Sequence, residues 1–299
     1  MATISIPARR LVPARPYPVG SDRQPWKRPW LRRHAVLIAG LVLVGLVLLG
    51  AAVGMLAPPR DPIAMDIAHR LQAPSLAYPF GTDQYGRDIF SRVLSGASVA
   101  ISVGLVAVGI AVAFGVPLGL VAGYRGGWLG EVIMRAMDAL FAFPSLLLAI
   151  AVIAALGPGH IHVMLAIGVV NIPVFARITH GMVLTLRETD FVLAARAIGV
   201  TERRILWHHI LRNAVSPILV QGSISFAGAL LAEAGLSYLG LGTPPPLPSW
   251  GLMLEEARTY MALAPWMAVF PGLAIAIAIL GFNLLGDGLR DFVDPRAQR

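Results

Sequence analysis

The chain has 299 residues, 57% of them hydrophobic and only 13% charged, with a mean hydropathy of +0.72 and a net charge of +8. This is too apolar and too charge-poor for an ordinary soluble domain. The basic excess sits in tails and loops beside apolar runs, which fits membrane topology and argues against nucleic acid, and the absence of cysteine removes any disulfide or thiolate metal site.

The chain opens with a basic tail, residues 1–33. Residues 34–57 contain no acid, lysine or arginine and are long enough to cross ~30 Å of hydrocarbon, so they predict a first transmembrane helix. A cleaved signal would have an apolar core of only about 7–15 residues. Residues 58–93 form a loop, and 94–124 a second, charge-free span that is tilted or extends beyond the bilayer. Within it Gly115, Gly119 and Gly123 permit close helix approach. Residues 134–156 predict a third span that carries Asp138, and Gly157-Pro158-Gly159 turns the chain into a fourth, 161–186, holding Arg177. Residues 214–241 make a fifth span carrying Glu233, and 265–285 an uncharged sixth; 94–290 is then a five-helix core and 291–299 a tail. Pro117 and Pro173 are candidate kinks.

Counting lysine and arginine orients these spans. With the tail inside, eighteen basic residues lie on its side, including Arg125, Arg135, Arg187, Arg196, Arg203, Arg204, Arg212 and Arg290; Arg60, Arg70, Arg87, Arg92 and Arg258 lie on the other. The asymmetry predicts both termini inside. It also places the charged loop 187–213 in the cytoplasm. There 191–198 reads as a short helix ended by Gly199, a residue suited to the left-handed position. Thr201 can cap the next helix, with Glu202 in its first turn. Ala194 and Ala195 keep one face thin, while Arg196, Arg203 and Arg204 could pair with acids of a partner. An amphipathic connector lying on headgroups is the alternative.

The order Ala194-Ala195-x-x-x-Gly199, with His209-Ile210-Leu211 ten residues on, resembles the EAA loop of bacterial ABC-importer permeases. Gly81-Thr82-Asp83-x-x-Gly86-Arg87-Asp88, then Ser91-Arg92 and Gly96, resembles the signature of one group, the C-type permease subunit of dipeptide, oligopeptide and nickel importers. Glu233-Ala234-x-Leu236-Ser237-Tyr238-Leu239-Gly240-Leu241-Gly242, Pro244 to Pro246, and Ser249-Trp250-Gly251 are similar to its second hallmark. Met134-Arg135-x-x-Asp138, Phe143-Pro144 and Asp294-Pro295 agree, so the likeness runs from about Trp30 to Pro295. Leu193 departs from the usual glutamate, and Arg212 from the usual proline, which puts the entry into the fifth span in doubt.

The resemblance implies an all-α membrane protein: a type I ABC-importer permease-like bundle of six transmembrane helices, N-in and C-in, in the bacterial cytoplasmic (inner) membrane. It implies a B-type permease as partner, two ABC ATPase subunits or domains, and an extracytoplasmic substrate-binding protein. ATP and Mg would be held by the ATPase, with no cofactor in this chain. The coupling surface would comprise Ala194, Ala195, Arg196, Gly199, Thr201, Arg203, Arg204, His209 and Leu211. The expected solute is a di- or oligopeptide, with nickel or another small solute as the alternative and a membrane-embedded enzyme or channel as a remote one. Glu233, Arg177 and Asn171 are candidate path residues; interhelical pairing, or for Glu233 helix packing, is the plainer reading of the charged ones.

Enzyme signatures are missing from the sequence. No G-x-x-x-x-G-K-[ST] loop occurs, Gly123-Tyr124-Arg125-Gly126-Gly127 lacks the following Lys-Ser/Thr, and Gly235-x-Ser237-x-x-Gly240 is not a nucleophile elbow. The pairs His160/His162 and His208/His209 lack i, i+4 ligand spacing.

Overall fold

The computed structural model describes residues 30–293, and the described residues contain helices but no strand. The basic tail up to residue 29, and Asp294, Pro295, Arg296 and Arg299, lie outside the described residues. The order is α1 (Trp30–Leu56), α2 (Ile89–Arg125), α3 (Gly127–Phe141), α4 (Ser145–Leu156), α5 (His160–Leu186), α6 (Asp190–Ala197), α7 (Glu202–Arg204), α8 (Leu211–Tyr238), α9 (Trp250–Arg258) and α10 (Trp266–Val293). A π-helical stretch, Ile205–Ile210, joins α7 to α8.

Five stretches are long and apolar enough to cross a membrane: Ala35–Leu56, Ile89–Arg125, His160–Leu186, Glu202–Tyr238 and Trp266–Phe292. The third expected span is different. Residues 134–156 do not form one straight helix: α3 and α4 meet at a 92° bend. Pro144 has no N–H to donate and disfavours helical geometry at Phe143, and its carbonyl instead accepts from Leu148 N–H at 3.0 Å to start α4. α3 buries only Gly130 and Met137, so little packing holds the chain straight through the proline. Pro117 and Pro173 stay inside continuous helices because they lie in the closely packed α2–α5 pair. There a Cβ on Gly115 would meet Ile172 O and Phe175 Cβ at 2.6 and 2.8 Å, and one on Gly119 the Thr179 Cβ at 2.8 Å. The glycine stripe is thus a packing seam.

Two further boundaries move. α2 begins at Ile89, not Leu94, because Asp88 caps it, accepting from Ser91 N–H at 3.0 Å and Ser91 Oγ–H at 2.6 Å. The second loop helix does not end before the fifth span. Glu202–Tyr238 is one helix with a π-helical turn at Ile205–Ile210, and Arg212 lies just beyond that turn inside α8. The loop after α8 also holds a helix the sequence did not announce, α9, capped by Ser249, which accepts from Leu252 N–H at 3.2 Å.

Candidate functional site

At the α6 end of the bundle, a short docked helix stands out from the long ones. α6 buries Val192 and Ala195 against Val183, Ile205, Ile210 and Ala214. It ends in two reversed bonds, Gly199 N–H to Arg196 O and Val200 N–H to Ala195 O, both 3.0 Å, with Gly199 at φ +79°. That is the pattern a left-handed residue closes after a helix. The thin face expected of Ala194 and Ala195 is therefore split. Ala195 packs into this chain's own core, and only Ala194 is exposed, together with Phe191, Arg196, Ala197 and Ile198. Thr201 stands at the start of α7 with extended backbone, but its hydroxyl makes no capping bond. Arg203 and Arg204 are exposed, while His209 and Leu211 are half-buried. Arg187 ties the loop to α2, donating to Gly123 O at 3.0 Å.

At the α9 end the two signature blocks meet. Asp83 accepts from the backbone N–H groups of Tyr85 and Arg87 at 2.8 and 3.0 Å and from Arg87 Nε at 2.5 Å. Arg87 and Arg92 donate to the two oxygens of Glu256 on α9 at 2.8 and 2.7 Å. Burial draws the Arg87 guanidinium pKa down, but Asp83 and Glu256 outweigh it and leave it raised. Thr82 accepts from Gln72 N–H at 2.8 Å and donates to His69 O, and Gly81 and Gly86 lie where a Cβ would strike Gln72 O and Asp66 O. Trp250 donates to Val93 O at 2.9 Å over Gly96. Gly251 and Gly242 press on Ser237, and Gly240, at φ +78°, ends α8. Both blocks build a sealed polar clamp. Glu256 was not singled out from the sequence, which offered only an unremarkable acid next to Glu255.

The candidate path residues separate. Glu233 is 2% exposed and accepts from Ser237 Oγ–H at 2.7 Å, beside the packed clamp and away from the apolar groove that Asn171 lines. Arg177 on α5 reaches Asp138 on α3 at 2.6 Å, and its guanidinium lies 4.2 Å from the centre of the Phe141 ring. Phe141 borders an apolar groove of about 740 Å³ between the α3–α4 bend, α5 and α8, lined also by Asn171, Val174, Leu231 and Gly235. Asn171 spends its amide on Ile167 O at 2.8 Å. Arg177 and Asn171 thus lie beside one groove, and Glu233 does not.

The Asp138–Arg177 pair is open to its surroundings, which limits its worth as a bond; what it offers an apolar helix pair is mutual charge neutralisation. Asp138→Leu is expected to leave Arg177 uncompensated and destabilise the inserted subunit by up to about 3 kcal/mol. Asp138→Leu/Arg177→Leu should recover most of that loss. Thermal unfolding of the subunit in nanodiscs checks both; a double variant as unstable as the single would refute charge neutralisation.

Among the described residues no group of three histidine, aspartate or glutamate side chains is placed to hold a metal. Membrane-length helices around a groove, with a docked helix at one end and a sealed clamp at the other, fit a multi-pass membrane protein. The chain belongs to the family of binding-protein-dependent transport system inner membrane components, which residues 115–299 match. It is 43% identical over 274 residues to a protein of Alkalihalophilus pseudofirmus named dipeptide transport system permease protein DppC, covering 91% of this chain and 90% of that one. It is 46% identical over 277 residues to the glutathione transport system permease protein GsiD of Escherichia coli O6:K15:H31, covering 92% and 91%. The fold is similar to a chain of the MetNI methionine ABC transporter in an inward-facing conformation, with a TM-score of 0.57 and 16% identity over 68% of this chain and 97% of that one. The chain is accordingly an ABC-importer permease subunit, and ATP hydrolysis resides in separate subunits.

Proposed function

We propose that this chain forms one half of the translocation path of an ATP-driven importer of di- and oligopeptide-type solutes, with both termini on the cytoplasmic side. The observation that carries the substrate class is that relatives at 43 and 46% identity over nine-tenths of the chain are named for a dipeptide and for glutathione, itself a short peptide. The other half is a B-type permease, two ATPase subunits or domains bind ATP and Mg, and an extracytoplasmic binding protein delivers the solute. The exposed face of α6 and the Gly199 turn meet the ATPase, and the apolar groove beside Asn171 and Arg177 faces the path.

The binding protein that works with this permease should be titrated calorimetrically with a set of peptides, glutathione and nickel chelates, and the ligands then tested for uptake by the reconstituted importer. Uptake of at least one peptide class, dependent on ATP and on this subunit, is expected. Binding and uptake of nickel chelates with none of any peptide would overturn the substrate class while leaving the permease role intact.

A further inference from the structure

The exposed surface of the helix leaving α6 carries a second pattern, distinct from the exposed face of α6. Arg203, Trp207, Leu211, Val215 and Leu219 recur every four residues from α7 through the π-helical turn into α8. Trp207 is 49% exposed, Val215 42% and Leu219 57%. At about 3.6 residues per turn, Val215 and Leu219 stand roughly opposite Gly228, Leu231 and Gly235, which line the groove. The stripe therefore points away from the path. It is apolar along α8, aromatic at Trp207, and cationic immediately beyond. That sequence matches acyl chain, interface and headgroup in turn.

The cationic end is also shaped. Thr201, Arg203, Arg204, Trp207 and His208 line an open hollow of about 530 Å³. Both guanidiniums are exposed, and neither has an ion-pair partner among the described residues. Glu202, the one acid in this stretch, does not line the hollow. A guanidinium presents paired donors that match a phosphate group.

We propose that this hollow is a binding site for the phosphate headgroup of an anionic phospholipid of the cytoplasmic leaflet, whose acyl chains lie along Leu211, Val215 and Leu219. The proposal rests on the cytoplasmic placement of α6 given above, but not on the solute. Arg203 and Arg204, which the sequence suggested for an acidic partner, serve the lipid, and the face of α6 remains for the ATPase. An occupied site would brace the π-helical turn that links the docked helix to the fifth span.

The test uses the assembled importer in nanodiscs of phosphatidylcholine with and without phosphatidylglycerol, released for native mass spectrometry. Wild type should retain phosphatidylglycerol in preference to phosphatidylcholine. Removing each charge in Arg203→Gln and Arg204→Gln should lower retention about fivefold per arginine, and Trp207→Ala should lower retention of both lipids. Arg135→Gln, which removes an exposed cation outside the hollow and outside α6, should leave retention at the wild-type level. Unchanged retention in the Arg203→Gln/Arg204→Gln double variant would overturn the site. So would an equal loss in Arg135→Gln, which would indicate general surface charge, or loss of the ATPase subunits with retention intact, which would assign the arginines to a protein contact. Because the readout is lipid bound to the complex, a wrong substrate class leaves the result unaffected.

Discussion

Glu256→Ala is expected to destabilise the subunit by about 3–5 kcal/mol, the range for removing one partner from a buried ion network. Arg92 is 1% exposed and Arg87 5%, so neither guanidinium can turn to water when the carboxylate goes. Asp83 remains, but it already serves Arg87 at 2.5 Å and lies 3.5 Å from Arg92. Two acids and two bases balance in the intact clamp, and the variant leaves an excess positive charge in a closed space. α9 should loosen first, because Glu256 is its only ionic tie to the loop at 81–88 and to α2 among the described residues. Glu256→Gln keeps the shape and loses the charge, so it should fall between wild type and alanine. Hydrogen exchange across Trp250–Arg258, with thermal unfolding of the nanodisc-embedded subunit, measures both effects. Wild-type protection of α9 in Glu256→Ala would show that Trp250 and Ser249 hold the helix without the clamp.

This clamp shows what the sequence could and could not yield. Asp83, Arg87, Trp250 and Gly251 were visible as members of two signature blocks, but nothing local joins residues 87 and 256, which lie 169 positions apart. The charge-free spans were legible because each is a continuous apolar run with few competing readings. The bend at Pro144 was not, because proline alone does not break a helix: Pro117 and Pro173 are carried by packing that α3 lacks. On α6 the sequence does carry the signal. Val192 and Ala195 are three residues apart, so they share a helix face, and an apolar valine marks that face as the buried one. The motif drew attention to Ala194 and Ala195 as a pair, whereas the helical period separates them.

That separation makes the coupling prediction specific. Ala195→Glu should fail within this subunit, because the new carboxylate enters the cluster formed with Val183, Ile205 and Ile210, and an unpaired buried charge costs several kcal/mol. α6 would undock, and the folded yield would fall with it. Ala194→Glu adds the same group to an exposed position, so the subunit should insert, keep its thermal stability within about 0.5 kcal/mol, and bind the partner permease. If the exposed face of α6 meets the ATPase closely, Ala194→Glu should nonetheless reduce ATPase association and solute-stimulated hydrolysis at least tenfold. Gly199→Val isolates the turn. No atom lies within 4 Å of a Cβ built there, so its cost comes from backbone strain alone, about 1–3 kcal/mol for a β-branched residue at positive φ. It should weaken coupling less than Ala194→Glu and unfold nothing beyond the α6–α7 turn. Nanodisc-reconstituted importers carrying each variant, compared for ATPase turnover, uptake and subunit stability, separate the three effects. Wild-type coupling in Ala194→Glu would mean that α6 rests on headgroups, and the ATPase contact would have to be sought elsewhere on the cytoplasmic face.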